Sequence, residues 1–453
     1  MALTTEQYPR RIGKWIETKD LRIASMQRFW RAFPPALQSP AYRAYWLGTL
    51  ASVSGFQVVR FGQFWLMYEL TESPLSLGYV GLAQALPGIV FNLLGGVFAD
   101  KMDQRRLIMA TQSLTASLVF VLATLTLMDL VQVWHVVAIA FLAAGVNAFD
   151  EPARHALYPH LIERRAMTSA VALNSAVWQG NRIVAPALAG VIISVADTEA
   201  AFYLAGLGSL TMVVVIYFLR VPRFTRGAHG SPIQDMLEGL DFIRKNSIFS
   251  FLIGMTFFNS FFGLAYITLM PVFAVDILEV GADGQGLLMS VGGAGALLAT
   301  IWLSSRDTTR YKATLILAGA VLFGLSLAAF ALSSEYVGSY ALAVVLMFAV
   351  GLFNSAYNIS VQSSLQMMVP DEIRGRVMGF YTMTYSISPL GALQAGALAK
   401  LVSVPIAIAI GGLMVAGFAV GPAMINSKVR NLATILRQLE PVAPTSARRG
   451  QAT

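Results

Sequence analysis

Apolar residues run along this chain in stretches of about 20, separated by short polar breaks, and strict alternation of apolar and polar positions is absent. Twelve such stretches have limits near 44–69, 76–99, 105–128, 133–152, 167–195, 200–220, 247–275, 284–304, 312–333, 338–360, 376–400 and 403–425. A helix of roughly 20 apolar residues crosses the hydrocarbon core of a bilayer. Hydrocarbon offers no partner to a bare backbone, so such segments must be helices. The pattern predicts an all-α integral membrane protein with twelve transmembrane helices.

The polar breaks divide these spans six and six. Expected units are a cytoplasmic N-terminal segment (1–43), an N-terminal six-helix bundle (44–220), a linker (221–246) containing "RFTRGAHGSP", a C-terminal bundle (247–426) and a tail (427–453). In the first segment Ile12, Trp15, Ile16, Ile23, Met26, Phe29, Trp30 and Phe33 follow helical spacing among basic residues, the pattern of an interfacial helix. In the linker Ile233, Met236, Leu237, Leu240 and Ile243 share one face of a second amphipathic helix. "NAFDEPARHALYPHLIERRAM" after the fourth span is echoed by "NSAYNISVQSSLQMMVPDEIRGRVM" after the tenth. Two pseudo-symmetric halves of six spans are expected, an arrangement in which transporters hold substrate at the midplane between the halves.

Charge sets the orientation. The chain is 56% hydrophobic and 12% charged, with a mean hydropathy of +0.64. If the N-terminus is inside, every one of the 32 Lys and Arg except Arg60, Arg182 and Lys400 falls on the inner side, while acids such as Glu72, Asp129, Asp197, Asp276 and Glu335 border the outer side. Positive residues are retained on the cytoplasmic face, so both termini are expected there. The net charge of +8 then reads as topology, not nucleic-acid binding. No short apolar core with a small-residue cleavage site precedes the first span, so a cleaved signal peptide is not expected. The absence of cysteine excludes disulfides and thiolate metal sites.

The stretch "GGVFADKMDQRR" at 95–106 resembles the loop between the second and third helices of the major facilitator superfamily. Gly96, Asp100, Lys101, Arg105 and Arg106 match that motif, and Asp103 stands where the motif has a second glycine. The same departure is common in the drug and siderophore exporter branch, that of enterobactin exporters and macrolide efflux proteins. "YELTESPLSLGYVGLAQALPG", "EGLDFIRKN", "VPDEIRGRVMGFY" and "PLGALQAGALA" resemble that branch too, so the likeness covers about residues 42–425. It implies a cytoplasmic gate in which Lys101, Arg105 and Arg106 meet Asp150 or Glu151; otherwise the basic residues only enforce orientation. "NRIVAPALAG" resembles the helix-five antiporter motif, with Pro186 and Gly190 retained and Asn181, Ala185 and Ala189 in place of glycines. Close helix packing accounts for that pattern equally well. The arginine that many proton-coupled drug exporters carry on the fourth helix is missing: Phe141 holds its place.

Arg60 and Arg182 fall at membrane depth, where a charge needs a wet cavity or a polar anchor. Both readings stand for each of them. No acid lies centrally within the span limits above, so proton coupling falls to peripheral acids: Glu69 outside, Asp150 or Glu151 inside. That pattern argues against a cationic cargo. Candidate cavity residues are Gln57, Arg60, Phe61, Phe64, Arg182, Phe258, Asn259, Phe262, Tyr357, Asn358, Tyr381 and Tyr385, an aromatic and amide-rich set that suits a lipophilic ligand. There is no HExxH and no Walker sequence, and "VGGAGALLA" lies in an apolar span with no strand before it, so no enzyme, cofactor or metal site is expected. The reading is a monomeric secondary exporter in a bacterial inner membrane, moving a small amphipathic molecule by alternating access with protons as the coupling ion. Two alternatives are a lysophospholipid flippase of the same superfamily and a non-transporting membrane sensor or scaffold.

Overall fold

The computed structural model describes residues 34–219, 240–305, 312–370 and 373–425, and every regular element among them is helical. After a short turn at Pro35–Gln38 come α1 (Pro40–Thr71), α2 (Pro74–Lys101), α3 (Gln104–Leu127) and α4 (Val133–Leu157). Next, α5 (Met167–Phe218) carries two predicted intervals, interrupted at Ala196 and Asp197, where Asp197 takes φ 64°. The second half opens with α6 (Ser247–Phe258) and α7 (Ala265–Val272). Each is followed by a wide turn, Asn259–Gly263 and Phe273–Ile277. In these turns the amides of Leu264 and Leu278 reach five residues back, to the Asn259 and Phe273 carbonyls, at 2.9 Å. The chain continues through α8 (Gly281–Ser304), α9 (Lys312–Tyr336), α10 (Tyr340–Met368), α11 (Arg374–Tyr385), α12 (Ser388–Ala399) and α13 (Val404–Ile425).

Helix occupies each apolar interval of the sequence. Among the described residues, eight helical runs are long and apolar enough to cross a membrane. One boundary moves in a way that matters. The fourth interval, expected to end near 152, continues as α4 to Leu157. Asp150 is therefore an interior helix position, and it is buried. The ion pair it makes one turn on, with Arg154, lets the helix carry both charges. The predicted interfacial helix (Ile12 to Phe33), the tail, and Ile233, Met236 and Leu237 of the linker lie outside the described residues. Of the linker face, Ile243 is buried and Leu240 is exposed.

Turn chemistry sorts the two ends of the molecule. Glu72, Asp129, Asp197 and Glu279 all adopt positive φ at one end, which we call the acidic end. Glu72 follows α1, and Glu279 follows the second wide turn, at corresponding places in the two halves. Asp129 and Gly338 (φ 63°) likewise follow α3 and α9. At the opposite, basic end, Asp103 caps α3 by accepting hydrogen bonds from the amides of Arg105 (3.0 Å) and Arg106 (3.3 Å). Such a cap contributes about 1 kcal/mol, which explains an aspartate where the superfamily motif has glycine.

Buried side chains are continuous at the acidic end and divided at the basic end. A large apolar core joins both halves, from Val58, Trp65, Leu77 and Phe202 to Phe273, Leu288, Phe330 and Ile408. Tyr68 on α1 donates a hydrogen bond to Asp276 across this junction. Toward the basic end the core splits in two. One cluster holds Tyr42, Ile108, Leu157 and Ile216 of the first half; the other holds Phe249, Ile316, Tyr357 and Val377 of the second. Small residues make the junction tight: a Cβ on Gly190 of α5 would run into the Ala282 carbonyl, and one on Gly286 of α8 would lie 2.5 Å from the Pro186 carbonyl oxygen. On the outside, Leu114, Val121, Leu188 and Leu325 are exposed apolar side chains, as a lipid-facing surface requires.

Candidate functional site: a cavity between an ionic wall and a neutral wall

Where the halves part, a cavity of about 270 Å³ runs from Gln63 and Gln84 toward Glu151 and Arg154. Its first wall comes from α1, α2, α3, α4 and α5: Phe56, Val59, Arg60, Gln63, Gln84, Gln112, Asn147, Asp150, Arg154 and Trp178 all face it. The second wall is narrower and is supplied by Tyr385, Ser386 and Pro389 at the junction of α11 and α12.

The ionic wall is organised around Asp150. Its Oδ1 accepts a hydrogen bond from the Thr111 hydroxyl at 2.6 Å. Oδ2 accepts from Gln112 Nε2 at 3.0 Å and from Arg154 Nε at 2.5 Å. Positions 150 and 154 are one turn apart on α4, so one helix face carries the whole ion pair. The set is buried, yet Arg154 Nη1 and Gln112 Oε1 have no partner. Higher in the cavity, Gln84 Nε2 donates to Gln63 Oε1 at 3.0 Å and leaves Gln63 Nε2 unpaired. Pro152 withholds the amide that would close on the Ala148 carbonyl, another polar group beside this wall.

Behind the neutral wall runs a chain of amides and phenols. Asn354 Nδ2 donates to Asn259 Oδ1 (2.9 Å), Asn358 Nδ2 donates to Asn354 Oδ1 (3.1 Å), and the Tyr385 hydroxyl donates to Asn358 Oδ1 (3.0 Å). Tyr381 and Tyr385 share a hydrogen bond at 3.1 Å. Asn259 opens the first wide turn after α6, and its Nδ2 is buried without an acceptor. Wide turns of this kind re-aim side chains within a helix and concentrate at functional sites.

The residues singled out in the sequence distribute as follows. Arg60 and Tyr385 line the cavity, and Asn259, Asn358 and Tyr381 form the chain behind Tyr385. Arg182 is exposed and within electrostatic reach of Arg60, Tyr266 and Tyr385. Gln57 is half-buried and does not face this cavity. Phe61 and Phe64 are packed in the joint core, and Tyr357 is enclosed in the second-half cluster. Phe258 stacks on Phe418 of α13 at 4.0 Å and meets Phe262 at 5.4 Å, so this pair packs against a neighbouring helix. Asn181 accepts a hydrogen bond from Ser54 on α1 (2.6 Å), while Pro186 and Gly190 sit at the α5–α8 contact.

The expected gate charges find different partners. Arg105 donates to the Ile216 and Tyr217 carbonyls at the end of α5, at 3.0 Å each, and not to Asp150. Arg106 is exposed, and Glu151 at the cavity mouth lies 3.9 Å from His155. Gly96, Asp100 and Lys101 belong to α2, with their side chains outside the described residues. Sequence reasoning missed Gln63, Gln84, Gln112, Arg154 and Trp178. The three glutamines carried a usable signal, since an amide within an apolar span avoids lipid.

A helical membrane protein whose halves meet at one end around a polar cavity is the architecture of a transporter. The bacterial homologue of the human lysosomal transporter Spinster, solved in an inward-facing and unoccupied conformation, shares this fold with a TM-score of 0.63 at 13% identity, over 89% of this chain and 99% of that one. The chain belongs to the transmembrane secretion effector family of the major facilitator superfamily, whose description matches residues 31–445. It is 23% identical to macrolide efflux protein A of Streptococcus pyogenes, over 85% of this chain and 96% of that protein. To the staphyloferrin A transporter of Staphylococcus aureus it is 24% identical, over 75% of this chain and 84% of that protein. It is a membrane transporter of the superfamily's drug and siderophore branch, and its relatives are transporters, not enzymes.

Proposed function

We propose that the chain exports a small amphipathic molecule across a bacterial inner membrane by alternating access, driven by proton antiport. The observation that carries this reading is the unequal core: joined at the acidic end, divided at the basic end, with the polar cavity between. In this reading six spans lie on each side of the linker (44–220 and 247–426), both termini are cytoplasmic, and the cavity is open to the cytoplasm. The Tyr68–Asp276 contact and the Gly190 and Gly286 approaches then close the outer side. The export direction is supported by relatives named for macrolide and multidrug efflux. One monomer suffices, since both walls come from one chain.

Asp150 is the proton carrier in this reading. It is the buried carboxylate of the cavity wall, and its partners can hold it either charged or neutral: Arg154 pairs with the carboxylate, while the unpaired Gln112 oxygen can accept from the acid. In proteoliposomes a pH gradient should accelerate efflux of substrate by the native chain. Asp150→Asn should remove that acceleration and leave substrate exchange at equal pH on both sides intact. Gradient-stimulated flux that survives the substitution would assign coupling elsewhere.

A further inference from the structure

The fixed charges lining the cavity are equal in number, Arg60 and Arg154 against Asp150 and Glu151, but they are not evenly paired. Asp150 is already neutralised by Arg154 and hydrogen-bonded by Thr111 and Gln112. Glu151 sits at the mouth beside His155. Arg60, deeper on α1, is exposed to the cavity and makes no hydrogen bond or ion pair with a described residue, and the charge of Arg182 on α5 acts on it as a like neighbour. Arg105, by contrast, is held by two backbone carbonyls. Arg182 is not part of the cavity lining, but its like charge near Arg60 favours an anion beside the Arg60 guanidinium.

Hydrogen-bonding capacity leans the same way. Gln63 Nε2 and Arg154 Nη1 are buried donors in the cavity wall with nothing to donate to, against one unpaired acceptor there, Gln112 Oε1. Both donating residues are at least nine-tenths buried. The neutral wall adds no counter-charge, because Tyr385 presents a phenol already committed to Asn358. Phe56, Val59, Trp178 and Pro389 leave apolar surface beside these donors.

We infer that the transported molecule carries an anionic oxygen-rich group, a carboxylate or a phosphate, which binds Arg60 and takes a hydrogen bond from Gln63, one turn further along α1. Its apolar part lies along α1 and α5. This inference rests on the transport reading for its cargo, while the binding site stands on the geometry alone. Guanidinium fits such a group because it donates in a planar fork matched to carboxylate and phosphate oxygens.

The test uses the purified full chain in nanodiscs of neutral lipid with three probes: dodecanoate, lysophosphatidylglycerol, and the lipophilic cation tetraphenylphosphonium. An anionic probe should bind and the cation should not compete with it. Arg60→Gln should weaken anion binding by roughly ten- to a hundredfold, and Arg182→Gln, which removes only a neighbouring charge, by less. Arg60→Lys should restore part of that loss, which a purely structural role would not produce. A preference for lysophosphatidylglycerol over dodecanoate identifies a lipid headgroup as the source of the anion, and the reverse identifies a soluble acid; both support the site. Unchanged anion affinity in a correctly folded Arg60→Gln variant, or tetraphenylphosphonium bound at Arg60 in place of the anions, overturns it. Anion binding through Arg60 with no flux under any gradient would instead sink the transport reading and leave the site standing.

Discussion

The two walls of the cavity are built on different physics. The first-half wall buries full charges, Asp150 and Arg154, and must hold them with an ion pair and flanking hydrogen bonds. The second-half wall buries only neutral dipoles, in a chain from Asn259 to Tyr385. A charge stranded in a low-dielectric site costs several kcal/mol, whereas a stranded amide costs about 1–3 kcal/mol. The first wall is therefore the one whose disruption should cost more. The second can exchange its hydrogen bonds at small cost, and it is the wall whose helix is broken between Tyr385 and Ser388.

This contrast can be broken from either side. The largest effect should come from Arg154→Ala, which leaves Asp150 buried without its counter-charge and should cost about 3–5 kcal/mol of stability in chemical unfolding in detergent. Removing both charges, as Asp150→Asn with Arg154→Gln, should cost less than Arg154→Ala alone. Equal costs would show that the ion pair is not the organising element. Asn354→Leu interrupts the neutral chain at its middle, stranding Asn259 Oδ1 while Asn358 Nδ2 keeps the backbone carbonyl of residue 354, and should cost about 1–3 kcal/mol. Tyr385→Phe removes one donor at the end of the chain and should cost about 0.5–1.5 kcal/mol. A larger loss from Tyr385→Phe than from Arg154→Ala would reverse the comparison.

Much of the fold was legible in the apolar intervals, because lipid imposes helix wherever about 20 apolar residues run together. The failures share one cause. Asp150 read as the cytoplasmic end of the fourth helix, and only the partner one turn away, together with Thr111 and Gln112 on α3, shows how the helix continues past it. Phe61, Phe64, Phe258 and Tyr357 read as cavity walls because an aromatic ring has the same composition whether it faces ligand or neighbouring helix. Of the polar candidates, Arg60 and Tyr385 line the cavity and Asn259, Asn358 and Tyr381 form the chain behind Tyr385, since a buried hydrogen-bonding group must find a partner.

By itself, then, the sequence determined the helices, the segregation of basic and acidic ends and the superfamily, all of which follow from local composition and from a motif contained in a dozen residues. Tertiary structure alone decided which end is joined, that Asp103 is a helix cap while Arg105 anchors the end of α5, and that Arg60 lines the cavity without an ion pair to a described residue. The physical reason is range. Hydropathy acts residue by residue along the chain, whereas charge pairing and close packing depend on side chains that sequence separates by tens to hundreds of residues, as Gly190 and Ala282 or Tyr68 and Asp276 are.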